Sequence, residues 1–463
     1  MTNQITTVCP TSGKHLRTYD AWSAEQIELA LAKGHCAALT WGKQPLEVRV
    51  AAVRRLADEL RRHSAQLAAL VTAEMGKILP EAAGEIEKSA VTATYYADNA
   101  HKILANEQVS IDGVDAWVGY EPIGLVLAVM PWNFPVWQVM RFAIPAITAG
   151  NGVFLKHSPN VTGCALALES LFVAAGLPEN LVTTLVVAEP DVPEVIERLI
   201  ADERIAGVTL TGSNRAGAAV GAAAGRASKR SVLELGGSDA FVVLDDADVP
   251  TAVAAAVKAR FNNAGQSCVC AKRFIVSERI ATAFTAQFVE AVKAIKVGDP
   301  LDSATRMGPL ARADLRDALD RQVQASVDAG AVLLAGGKAI NGEGYFYEPT
   351  VLGNMAPGMT AFDQETFGPL AAVAVAKDDD DAIRLANATP FGLSVSIWSS
   401  STERALNVAK GVATGAAFIN AMTASDARIP FGGTKKSGYG RELSAVGMRE
   451  FTNIRTYWVA SGA

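Results

Sequence analysis

Apolar residues recur at helical spacing through the first quarter of the chain. Between Val48 and Met75 they fall at Val50, Val53, Leu56, Leu60, Leu67 and Leu70 with charges between them, which predicts one long amphipathic helix. Ala82 to Leu104 is a second helical stretch, and the first hundred residues read as helices throughout. The period then shortens. Val109 to Tyr120 is rich in β-branched and aromatic residues around Asp112-Gly113, a hairpin signal, and Ile123 to Met130 is an apolar strand.

From residue 140 onward strands and helices alternate. Gly152–Lys156, Leu181–Val187 and Gly207–Thr211 read as strands; Val161–Ala175, Pro193–Ile200 and Asn214–Gly225 read as helices. A second series runs from Ser231 to about Asn420, with strands near Phe241, Phe274, Val332, Val373 and Phe418. Such alternation predicts parallel sheets covered on both faces. Two α/β units are expected, meeting near residues 228 to 236. The tail from Arg428 holds Gly432, Gly433, Gly438 and Gly440 before a strand-like Ile454–Val459. The 109–120 hairpin and this last strand lie outside both units; they either pair subunits or cover a sheet edge.

Composition narrows the functional classes. Half of the 463 residues are hydrophobic and 19% are charged, which excludes a disordered chain. A formal charge of −6 leaves no basic footprint, so no nucleic-acid partner is expected. Anionic small substrates remain open, because a few arginines can reverse the local field. No apolar run is long enough to span a bilayer, so no membrane partner is expected. The N-terminus shows no basic stretch followed by an apolar run, so no signal peptide is expected either. Five cysteines, few and odd in number, fit a reducing cytoplasm, and no His/Cys ligand cluster points to a metal.

The candidate chemistry begins with Phe261-Asn262-Asn263-Ala264-Gly265-Gln266-Ser267-Cys268. A buried structural cysteine is the commoner fate of a single Cys. Here Gly265 permits a tight turn and a strand follows, so Cys268 sits at a loop–strand junction where backbone N–H groups favour a thiolate. Glu234, between Leu233 and Leu235, is either a strand-end glutamate facing water or a carboxyl whose apolar setting makes it a general base. Asn133 in Pro131-Trp132-Asn133-Phe134-Pro135 is either a turn residue or an amide donor to an oxyanion. Thr211-Gly212-Ser213-Asn214-Arg215-Ala216-Gly217 lies between strand and helix, where Ser213 can cap the helix while free N–H groups face a diphosphate. Lys156 ends an apolar strand, either snorkelling to the surface or reaching a ribose or phosphate.

With these residues in place, the chain resembles the aldehyde dehydrogenase superfamily along nearly its whole length. The matching motifs are Pro131–Pro135, Lys156, Gly212–Gly217, Glu234–Gly237, Gly265–Cys268, Glu365-Thr366-Phe367-Gly368-Pro369, and Pro430-Phe431-Gly432-Gly433 with Ser437-Gly438, in the family's order. Lys156-His157-Ser158-Pro159-Asn160-Val161, Leu235-Gly236-Gly237-Ser238-Asp239 and Ser437–Ser444 look like the bacterial succinate-semialdehyde dehydrogenases.

The resemblance implies two Rossmann-type α/β domains plus a small β oligomerisation element. Residues 1–108 and 128–233 would bind the dinucleotide, 234–427 would carry catalysis, and 109–127 with 428–463 would build a homodimer or homotetramer. It implies Cys268 as nucleophile, Asn133 with the Cys268 N–H as oxyanion holders and Glu234 as the base that activates water. It places Trp132, Lys156, Ser158, Gly212, Ser213, Gly217, Leu235, Glu365 and Phe367 around NADP or NAD, and matches Glu442 to a second glutamate with a proton-relay role. Many relatives carry a glutamate three residues after the strand-end lysine; here Pro159 stands there, so a 2′-phosphate meets no like charge and NADP is expected to be accepted or preferred. Arg141, eight residues after Asn133, matches the arginine that grips a distal carboxylate, and Ser425 matches a serine on the same group. A second arginine of some members, six residues before the nucleophile, is Asn262 here, with Arg428 as a possible substitute. Cys270 matches the partner of a reversible disulfide with the nucleophile; a small buried hydrophobe is the other reading. The activity implied is NAD(P)-dependent oxidation of succinate semialdehyde. Another semialdehyde or an aliphatic aldehyde as substrate, and a catalytically retired binding protein, are the alternatives. Glu234 argues against a CoA-acylating enzyme, which needs no water-activating base.

Overall fold

Two stretches of near-continuous apolar sequence become the two central sheets of a computed structural model that describes residues 4–460. The first sheet has six strands in the order Gly438–Tyr439, Arg230–Glu234, Ile205–Thr211, Leu125–Met130, Gly152–His157, Val182–Thr184. All are parallel except Gly438–Tyr439, which runs antiparallel to Arg230–Glu234. The second has seven, in the order Val332–Ala335, Thr350–Gly353, Leu370–Ala376, Ala271–Ser277, Asp239–Val243, Ser394–Trp398, Ala416–Ile419. Only its Val332–Ala335 edge is antiparallel. Helices cover both, as buried parallel strands require. The chain passes from the first sheet to the second through Leu235–Ser238, which overlaps only the end of the 228–236 junction read from the sequence.

A third, antiparallel sheet joins Glu107–Ile111, Val114–Pro122 and Thr452–Ala460. Its hairpin turns at Asp112-Gly113, where Gly113 takes φ +75°. The tail is shared among sheets: Gly438–Tyr439 completes the first, and Thr452–Ala460 completes the third.

Three expectations need correction. Residues 4–20 are not helical but form a hairpin of Gln4–Val8 and His15–Asp20. The second of these strands is almost wholly exposed, so it shows no apolar alternation to read. The single helix expected over Val48–Met75 is two, Leu46–Arg62 and Ser64–Met75, breaking at His63 without a Gly or Pro to signal it. The strand expected over Leu181–Val187 keeps only Val182–Thr184 as ladder.

The helix Leu79–Ile103 packs against Trp137–Thr148, the helix that leaves the Pro131–Pro135 segment. It presents Glu81, Glu85 and Lys88 on one face, at spacings of four and three. That face backs the site.

Candidate active site

The loop before Cys268 is held in an unusual backbone. Asn263 and Ala264 both lie at φ +53°, and Gly265 follows at φ +71°. Left-handed non-glycine residues store strain and persist only where their surroundings over-determine them. Here the surroundings are explicit. Asn263 Nδ2 donates to the Asn133 carbonyl at 2.8 Å, and Asn133 Nδ2 donates to the Gln266 carbonyl at 3.0 Å. The Asn263 N–H donates to Glu81 at 3.1 Å, and Gln266 accepts from the Ala311 N–H at 2.9 Å. A side chain at position 265 would drive a Cβ to 2.3 Å from the Gly368 carbonyl. The nucleophile loop and the Asn133 segment are therefore one hydrogen-bonded unit.

Glu85 fixes the other side of that unit. Its carboxylate accepts the Val136 and Trp137 N–H groups, both at 2.8 Å, and pairs with buried Lys77. The Lys77 ammonium in turn lies 3.7 Å from the centre of the Phe134 ring. His157 is neutral, because burial pushes it down to about 4; one ring nitrogen donates to the Pro135 carbonyl at 2.9 Å and the other accepts the Ser158 N–H.

Cys268 is partly exposed and lines a cavity of about 200 Å³ with Arg141, Asn262, Ser425 and Lys88. Burial pushes its thiol up to about 12, against the opposing pull of Arg141 and Lys272. Lys272, buried in the strand that follows, donates to the Cys268 carbonyl at 3.3 Å and to Glu365 at 2.8 Å. Cys270 lies beneath the loop, where its sulfur accepts from Arg260 at 2.7 Å and faces the Ser267 carbonyl at 3.0 Å.

Glu234 is buried, and neither carboxylate oxygen has a hydrogen-bond partner. Desolvation, then the nearby Glu442, holds its pKa well above the usual carboxylate value. The carboxylate lies against Gly432, where an added Cβ would meet it at 2.6 Å. Glu442 is also buried and forms an ion pair with Arg141. Arg141 further donates to Thr211 Oγ1 at 3.2 Å and stacks over Phe431 at 4.6 Å. Arg428 stays outside, exposed and paired with Asp426 at 2.7 Å.

The first sheet offers the nucleotide side. Ser213 caps the Asn214–Arg226 helix by accepting the Ala216 N–H, and Gly217 permits an approach in which a Cβ would strike Leu235 at 2.4 Å. Glu365 packs over Gly236, where a Cβ would meet its oxygen at 2.4 Å, and accepts the Gly237 N–H at 3.0 Å. Trp132 and Phe367 meet edge to face at 5.7 Å. Lys156 and Ser158 are buried at the end of Gly152–His157; burial lowers the Lys156 ammonium to about 8. A Ser213-capped helix N-terminus, a close glycine approach and a desolvated lysine fit a dinucleotide. Among the described residues no group of three or more His, Cys, Asp or Glu is placed to hold a metal ion. No described helix is long and apolar enough to cross a membrane.

The sequence reading did not single out Lys88, Lys272, Glu85 or Asn263 as site residues. A lysine inside the buried Ala271–Ser277 strand was the one local signal available.

A largely parallel sheet with a serine-capped helix terminus, joined to a second sheet that delivers a strained-loop thiol, defines a nucleotide-using enzyme of cysteine chemistry. Residues 1–457 match the aldehyde dehydrogenase family model, and the chain belongs to that family. It is 47% identical over 449 residues to an NAD(P)+ succinate semialdehyde dehydrogenase of Escherichia coli (strain K12), covering 97% of this chain and 96% of that one. It is 44% identical over 456 residues to a probable NADP+ succinate-semialdehyde dehydrogenase of Synechocystis, covering 98% and 100%. The structure of a succinic semialdehyde dehydrogenase from Streptococcus pyogenes in complex with NADP+ superposes with a TM-score of 0.95 at 36% identity, covering 98% and 100%.

Proposed function

We propose that the protein oxidises succinate semialdehyde to succinate with NADP or NAD. One observation carries the substrate: the cavity that exposes Cys268 also presents Arg141, Ser425 and Lys88, so a cationic, hydrogen-bonding end lies within a small molecule's reach of the thiol. An aliphatic aldehyde would leave the Lys88 ammonium without a carboxylate in a desolvated site.

Cys268 Sγ adds to the aldehyde carbon as the thiol proton passes to water in the open cavity, and the carbonyl becomes an oxyanion. Asn133 keeps one amide hydrogen on Gln266 and turns the other, with the Cys268 N–H, to that oxygen. Bound NADP or NAD supplies the hydride acceptor, which leaves a thioester on Cys268. Glu234 then swings from its place beside Gly432, takes a proton from water, and the hydroxide attacks the thioester carbon. The C–S bond breaks, succinate leaves, and Glu234 returns its proton to the departing sulfur, which restores the thiol.

In this reading residues 1–108 and 128–233 bind the dinucleotide and 234–427 carry catalysis, with the Leu125–Met130 strand crossing the 127/128 boundary and Gly438–Tyr439 adding an edge to the first sheet. The third sheet exposes Val109, Ile111, Ile454, Trp458 and Val459, which supports homo-oligomer assembly through it. A cytoplasmic location and a reversible Cys268–Cys270 disulfide belong to the same reading; all five cysteines are free here.

The test is a panel of aldehydes followed by reduced-nicotinamide absorbance with both cofactors. Succinate semialdehyde is expected to give the highest kcat/KM; a higher value for an uncharged aldehyde of equal length would overturn the substrate. For the cofactor, Pro159→Glu puts a carboxylate beside Lys156 and Ser158. The expected result is a loss of about tenfold or more in kcat/KM for NADP, with NAD unaffected or improved, as one like charge near a phosphate demands. Equal losses with both cofactors would remove position 159 from 2′-phosphate discrimination.

A further inference from the structure

The cationic end of the cavity is not built as the two-arginine pattern would have it. Arg141 is already engaged by Glu442, so an arriving carboxylate meets an ion pair with little net charge. The position of a second arginine is held by neutral Asn262, and Arg428 is turned outward onto Asp426.

Lys88 is different. It enters the cavity from the Leu79–Ile103 helix, its ammonium donating to Ser425 Oγ at 2.6 Å and resting 4.4 Å from the centre of the Trp137 ring. Its charged neighbours are Arg141, Asp426 and Glu85. Each has another partner: Arg141 has Glu442, Asp426 has Arg428 and Glu85 has Lys77. Lys88 is thus the uncompensated charge in the pocket. Ser425, having accepted from Lys88, keeps its own O–H to donate.

We propose that Lys88 is the specificity-determining cation of this enzyme, binding the distal carboxylate of the substrate together with the Ser425 hydroxyl, with Arg141 as the second, shared contact. The proposal rests on the succinate-semialdehyde reading above. Burial, then Arg141, lowers the free ammonium to about 8, and a bound carboxylate reverses that pull. The ring of Trp137 orients the ammonium without neutralising it.

The test compares wild type, Lys88→Met and Lys88→Arg on succinate semialdehyde and on butanal, with succinate as an inhibitor of butanal oxidation. Methionine keeps the length and the contact with Trp137 and removes the charge. In Lys88→Met, kcat/KM for succinate semialdehyde is expected to fall about 30-fold or more, chiefly through KM, as for loss of one partner of a desolvated charge pair. Butanal turnover is expected to stay within about threefold, which also reports correct folding. Succinate inhibition is expected to weaken in parallel, and Lys88→Arg to recover much of the loss. Equal losses on both aldehydes, or undiminished succinate inhibition, would overturn the assignment while leaving the substrate reading intact. A wild type that shows no preference for succinate semialdehyde over butanal would overturn both.

Discussion

Cys268→Ser is expected to abolish aldehyde oxidation, with turnover falling about 10⁴-fold or more, the usual scale for loss of a covalent nucleophile. The thiol is a weak acid in this site, pushed up to about 12 by burial, with Arg141 and Lys272 pulling the other way. The thiolate that attacks is still far easier to form than the alkoxide of a serine in the same place. The strained loop that delivers residue 268 and its links to Asn133 do not involve the sulfur, so nucleotide binding should be retained. Mass spectrometry of quenched wild-type turnover should show an acyl adduct on the peptide bearing Cys268, absent in the variant. Wild-type turnover without such an adduct, together with an active serine variant, would end the covalent reading.

Glu234→Gln is expected to separate the two halves of the reaction. One equivalent of reduced nicotinamide should form in a burst, after which steady turnover falls about 10²- to 10⁴-fold and the thioester accumulates. The pH dependence follows from the direction of the shift. The folded-state pKa of Glu234 is raised by desolvation and by Glu442, so its basic form appears only as pH rises through a value above the ordinary carboxylate range. Deacylation in the wild type should therefore increase with pH on a limb displaced upward from about 4.5, and glutamine should erase that limb. A variant that turns over normally, or one that loses the burst as well, would remove Glu234 from the deacylation step.

The two sheets were legible because parallel strands buried on both faces read as short apolar runs between helical stretches. Phe241, Phe274, Val332, Val373 and Phe418 all fall on strands of the second sheet. The hairpin at Asp112-Gly113 was legible because its turn chemistry is local. What escaped lacked a local signature. His15–Asp20 pairs in the open, and the helix break at His63 carries no Gly or Pro. The same holds at the site. Cys268, Glu234 and Asn133 sit in motifs that announce themselves within a few residues. Lys88 meets Ser425 across 337 positions, and Tyr96 donates to the Ser444 carbonyl across 348. Only the fold reveals that Arg141 is already matched by Glu442, and that the free charge comes from another helix.

The tail gives the protein an order of completion. A nascent chain emerging from the ribosome would already have made Cys268, Asn133 and Lys88. Until residues 438–460 follow, the first sheet lacks its Gly438–Tyr439 edge, Arg141 lacks Glu442, and the hairpin at 107–122 lacks Thr452–Ala460 beside it. One segment, residues 438–460, thus finishes the edge of the first sheet, the partner of Arg141 and the third sheet together.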